Sequence, residues 1–219
     1  VIQVLGNIIF IASLVAVLTH LGILSAMVLG GFLGIISGAK VKMTALPQMV
    51  ALLNGLGGLA SVCVGLAELW EKQAYSFEIS LSLVIGSIAF SGSVVAFVKL
   101  QGWLASAAGR FKHRNILNFI LLLAVLVLWA KYAFEDQVTA AYYLVCATLI
   151  FGITLIMPVG GADMPIMISI LNACSGWATV GIGFTLENVA LIITGALVGS
   201  SGTILAFLMA KAMNIWSFG

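Results

Sequence analysis

Charge is what this sequence most lacks. Of 219 residues, 7% are Asp, Glu, Lys or Arg, against 63% hydrophobic. Soluble domains carry roughly 25% charged residues, which excludes a water-facing fold around one apolar core. With a mean hydropathy of +1.24, the chain reads as an integral membrane protein. Its net charge of +2 carries no indication of nucleic acid, and none is expected as a partner. Cysteine is scarce too. Cys63, Cys146 and Cys174 lie in apolar segments without CxxC or Cys/His spacing, so they read as packing residues rather than metal ligands or disulfides. Of the two histidines, His20 sits at a segment end and His113 in the basic stretch FKHRN, both places suited to a surface. No apolar run carries a charged side chain in mid-span, although pumps usually rely on such groups. No leader n-region or cleavage site is visible. The start at Val1, inside an apolar stretch, fits a chain with residues before it.

What is present is apolar length. Eight runs, 2–18, 21–39, 47–68, 79–99, 115–132, 138–158, 165–186 and 189–210, are each near the roughly 20 residues that cross a bilayer as a helix. They do not alternate polar with apolar, which excludes a β-barrel. The expected fold is an all-α integral membrane protein, a polytopic bundle of about eight transmembrane helices, with residues 1–219 as one transmembrane domain. Thr19-His20 is too short for a comfortable loop and reads as a tight turn or an interruption. On one side lie Lys40, Lys42, Lys99, Arg110, Lys112, Arg114 and Lys211. On the other are Lys72 and Lys131 with Glu68, Glu71, Glu78, Glu135, Asp136 and Glu187. Positive residues stay inside, so both chain ends and Asp163 are expected on the cytoplasmic or matrix side.

The runs differ in kind. The fifth, ILNFILLLAVLVLWA, has neither glycine nor a mid-span polar group and suits lipid. The second has Gly30, Gly34 and Gly38 at four-residue spacing, which permits close helix approach. The third, PQMVALLNGLGGLAS, overlays the seventh, PIMISILNACSGWAT. Asn54 meets Asn172, Gly58 meets Gly176 and Gly65 meets Gly183. SGSVVAF of the fourth overlays SGTILAF of the eighth. Both pairs run the same way, as a parallel internal repeat would; small-residue helices that merely share composition are the alternative. Ser169, Asn172, Gly176, Thr179 and Gly183 fall on one helix face. So do Asn54, Gly58, Ser61 and Gly65, and likewise Ser82, Gly86, Ala89 and Ser93. Asn172 lies roughly 13 Å along the helix from Asp163, near mid-membrane, where an amide must face protein or water.

Each polar group has a plain reading and a functional one. Asp163, before Met164-Pro165, is a helix N-cap or a charged contact for a soluble partner. Asn54 and Asn172 are interhelical glue or water-orienting groups. Ser93, Ser200, Ser201 and Thr203 bond back to their own helix or extend a hydroxyl wire. With no protonatable relay in the chain, a complete proton path would need a partner subunit. GALVGSSG has no lysine and no preceding strand, which excludes a phosphate loop.

GGADMP, the LN-x-x-SGW after it, and GALVGSSG before Lys-Ala-Met-Asn resemble the membrane domain of proton-translocating nicotinamide nucleotide transhydrogenase, β subunit. TALPQMVAL and SGSVVAF-x-KLQG support the likeness, which covers nearly the whole chain. The resemblance implies hydride transfer from NADH to NADP⁺ coupled to inward proton translocation. It implies that NAD(H) and NADP(H) are bound by two soluble partner domains and no cofactor by this chain. The expected partners are those domains, the membrane helices of the α subunit and the lipid bilayer, in a dimer of the whole enzyme. The expected location is a bacterial plasma membrane, or else the mitochondrial inner membrane. By position, the proton path falls on Asn54, Ser93, Asn172, Ser200 and Ser201, and the domain interface on Asp163, Arg114 and Lys211. Gly195, Gly199 and Gly202 fall to helix packing. Many members have a histidine where this chain has Asn54. The resemblance also implies that the family would continue into its NADP(H)-binding domain at about Gly219 and would have one more β-subunit span at the start, so a fragment or an isolated membrane domain is expected. The third, fourth, seventh and eighth runs are expected to form the conducting core, with the fifth and sixth towards lipid. A secondary transporter with a parallel repeat is the alternative function, and a structural scaffold a third.

Overall fold

The computed structural model describes residues 21–72, 75–104, 113–135 and 138–213. The first apolar run and Thr19-His20 lie outside these residues. Among the described residues every regular element is helical: α1 (Leu21–Lys40), α2 (Leu46–Lys72), α3 (Phe77–Leu100), α4 (Arg114–Glu135), α5 (Val138–Ile156), α6 (Met164–Thr185) and α7 (Val189–Ala212). They correspond to the second to eighth runs. Six, α2 to α7, are long and apolar enough to cross a membrane. Helix is obligatory in such sequences, because only intrahelical bonding satisfies the backbone in hydrocarbon.

The chain divides into two compact units between Leu46 and Pro47. In the first, a Cβ built on Gly30, Gly34 or Gly38 of α1 would meet nothing within 4 Å. The close approach that their spacing permits is therefore not made among the described residues.

The second unit is organised by glycine. Small residues replace the hydrophobic effect as the means of packing helices in lipid, because they let backbones touch. A Cβ on Gly58 of α2 would lie 2.7 Å from the Gly86 carbonyl oxygen of α3 and 2.8 Å from the Phe90 nitrogen. A Cβ on Gly176 of α6 would lie 2.8 Å from Gly199 Cα and 2.9 Å from the Gly195 oxygen of α7. Gly202 faces Ala173 in the same way. α3 is central. It meets α2 at Gly86, α6 and α5 at Gly92, which faces Leu171 and Ile156, and α5 again where Gly152 faces Ser91 and Ile88.

α4 is the outermost of these helices. It buries Val125 and Tyr132 but exposes Ile116, Phe119, Ile120 and Leu123, as its uniformly apolar run predicts. α5 is not simply lipid-facing. Its stripe Ala140, Ala141, Leu144, Thr148, Gly152 and Ile156 is buried, because small residues at helical spacing let it settle onto α3. The cysteines also depart from expectation. Cys63 and Cys146 are free and exposed, and only Cys174 is partly covered; each of the first two lies on a helix face that packing leaves open. The α6–α7 turn is tight. Asn188 caps α7 by accepting the Leu191 amide at 3.2 Å, and its own amide reaches back to the Gly183 carbonyl at 2.8 Å.

Candidate functional site: a polar seam and its basic end

The seam begins where α2 meets α6. Asn54 is 7% exposed, and its amide donates to the Ile168 carbonyl at 3.3 Å. In an α-helix that carbonyl also accepts the N–H four residues on, which belongs to Asn172. Asn54 thus reaches α6 one helical turn before Asn172, its match in sequence. Asn172 is half-buried.

Further bonds tie the same helices. Ser82 donates to the Ala178 carbonyl of α6 at 3.3 Å and to its own helix at Glu78. Ser169 donates to the Gly202 carbonyl of α7 at 3.0 Å. Gln48 donates to the Leu100 carbonyl at 3.2 Å, joining the start of α2 to the end of α3. Each residue has a side-chain donor bonded to a neighbouring helix's backbone, as buried donors require.

Ser93 is different. It is fully buried, and its hydroxyl has no protein partner. Most helical hydroxyls here bond to a carbonyl a turn earlier, as Ser91 does to Ser87 at 2.9 Å. Ser87 is the other buried serine whose hydroxyl is unsatisfied. Ser93 packs against Gly55, where a Cβ would lie 3.2 Å away, and it borders a cavity of about 130 Å³ walled otherwise by apolar groups such as Phe90 and Phe97.

Ser200 and Ser201 are placed elsewhere. Both are exposed on α7 and bond to their own helix, Ser200 to Ala196 at 2.6 Å and Ser201 to Val198 at 3.1 Å. Thr203 likewise bonds Gly199 at 2.7 Å. Gly195, Gly199 and Gly202 occupy the face of α7 towards α6, so the serines between them point out of the bundle. The structure brings Asn54, Asn172 and Ser93 to the interior helices and leaves these two hydroxyls on the periphery.

At the basic end, Asp163 and Arg114 line one cavity of about 580 Å³, together with Asn115, Asn118 and the 158–160 loop. Lys211 is exposed in the last turn of α7. Asp163 does occupy the residue before α6, with proline in the first turn, but its carboxylate caps no N–H. Gly161–Asp163 already form a 3-10 turn, and Asp163 has helical backbone angles, φ −90° and ψ −5°. A side-chain cap needs an extended residue at that position. The carboxylate is therefore left for the cavity.

Lys99 escaped the sequence reading, which counted it among the surface charges. It is 8% exposed and donates to the carbonyls of Met157 and, at 2.9 Å, Val159. Its signal was positional: it belongs to the apolar stretch AFVKL, before the helix ends at Leu100. Among the described residues no group of His, Cys, Asp or Glu could hold a metal ion.

Six long apolar helices, zipped by glycine around buried asparagine and serine, define a polytopic α-helical membrane protein. The family model for the NAD(P) transhydrogenase beta subunit matches residues 1–218, and the chain belongs to that family. Two relatives named NAD(P) transhydrogenase subunit beta, both from Rhodospirillum rubrum, are each 44% identical over 204 residues, covering 88% of this chain and 44% of the relative. The chain thus spans less than half the length of these relatives.

Proposed function

We propose that the chain is the proton-conducting membrane part of a transhydrogenase, coupling hydride transfer from NADH to NADP⁺ with inward proton movement. The observation that carries this is Ser93. A buried hydroxyl without a partner costs about 1–3 kcal/mol, and a bundle built only for packing would place alanine there. Ser93 also borders a cavity of about 130 Å³ between α2 and α3. Asn54 and Asn172, on the neighbouring helices, are amides that donate and accept, which suits them to orient water without holding charge. The proton itself would be held by a group on a partner, the α subunit's membrane helices. Ser200 and Ser201, exposed on α7, are where such a helix could extend the path.

The basic end faces the cytoplasm by the distribution of lysine and arginine. NAD(H) and NADP(H) are bound by soluble domains, the second docking where Asp163 and Arg114 share a cavity and Lys211 lies exposed. The whole enzyme is a dimer in a bacterial plasma membrane. α2–α3 and α6–α7 form a parallel repeat; support comes from Gly58 and Gly176, matched in sequence, each sitting at a backbone contact within its pair. The native chain should copurify with polypeptides that bind NAD(H) and NADP(H), and vesicles of that complex should move protons as NADH reduces NADP⁺. A chain that purifies alone and carries a solute would remove the proposal.

A further inference from the structure

We infer that Lys99 is a positioning residue: it ties the end of α3, the helix that carries Ser93, to the loop that carries Asp163. Its coupling role rests on the reading above; the tie itself does not. A buried ammonium must find acceptors, and carbonyls just past a helix end have no intrahelical N–H to accept. Lys99 meets both needs at once. Its Nζ donates to Met157 and Val159, the residues that follow α5, which ends at Ile156.

From there the chain is short and internally bonded. The Val159 amide donates to Ile156 at 3.1 Å, and the Asp163 amide to Gly160 at 3.1 Å. Pro158, Val159 and Gly160 form one wall of the cavity that Asp163 and Arg114 also line. Ser93 lies six residues before Lys99 on the same helix, roughly 9 Å along its axis. A displacement of α3 at Ser93 therefore reaches the cavity wall through one rigid helix and one side chain, and a displacement of the loop reaches Ser93 by the same route. The charge is spent on holding carbonyls, so a guanidinium should substitute for it, whereas a proton relay would need a group that can deprotonate.

The test uses the native complex in lipid nanodiscs. Amide hydrogen exchange is followed in residues 157–163, with α7 as the reference. Lys99→Met should speed exchange at Val159 and Asp163 about ten-fold and leave α7 unchanged. Lys99→Arg should restore most of the protection. In the same preparations Lys99→Met should lower coupled turnover about five-fold at unchanged substrate KM, and Lys99→Arg should recover it. Unchanged exchange in Lys99→Met, or no rescue by arginine, overturns the tie. Faster exchange with unaltered turnover keeps the tie and removes the coupling role instead. If Lys99→Met fails to assemble, Lys99→Arg decides: native protection supports the tie, and lost protection in an assembled complex overturns it.

Discussion

Replacing Gly176 by alanine tests the closest approach of one helix backbone to another at a glycine among the described residues. The added Cβ would lie 2.8 Å from Gly199 Cα and 2.9 Å from the Gly195 oxygen. These are backbone atoms of α7, which no rotamer change can move. Ordinary carbon contacts are about 3.5–4.0 Å, so α7 must retreat by about 1 Å, loosening Gly195, Gly199 and Gly202 together. Overpacking of this kind costs about 1–3 kcal/mol, offset by at most about 1 kcal/mol from the helix preference for alanine. Gly57→Ala is the control, because its Cβ would meet only Ser175 Cβ, at 3.9 Å. Thermal unfolding of the chain in nanodiscs should show Gly176→Ala clearly less stable than native and Gly57→Ala equal or slightly more stable. Equal stability of the two variants would refute the account of glycine packing.

Two further substitutions address the seam and the basic end. Asn172→Leu should block or uncouple proton translocation in the complex while the chain still inserts and assembles, as read by vesicle acidification; undiminished pumping would remove Asn172 from the path. Asp163→Asn should leave thermal stability within about 0.5 kcal/mol of native, since the carboxylate caps nothing, yet change NADP(H) release and turnover. A large stability loss would make Asp163 structural.

Much of the fold was legible because membrane helices announce themselves by apolar length. The runs at 138–158 and 189–210 differ from α5 and α7 by two residues at one end. The shared face of Asn54, Gly58, Ser61 and Gly65 was legible from spacing alone, and all four are buried, although Asn54 meets α6 and Gly58 meets α3. Which neighbour takes each glycine was not. Gly195, Gly199 and Gly202 face α6, which sends Ser200 and Ser201 outward, and only the packed pair reveals that choice. Asp163 failed as a cap because cap signals assume extended backbone, whereas the 3-10 turn ahead of α6 depends on how the loop meets the bundle. Lys99 was hidden for a similar reason. A lysine near a helix end reads as a surface charge until a neighbouring helix brings its carbonyls within reach.

The most direct test of the central claim is Ser93→Ala, read by proton translocation and thermal stability in the same complex. The substitution removes one oxygen that has no protein partner. Stability should be unchanged or raised, with proton movement per hydride lowered at least about five-fold. Full proton movement in a stable Ser93→Ala complex would contradict the claim.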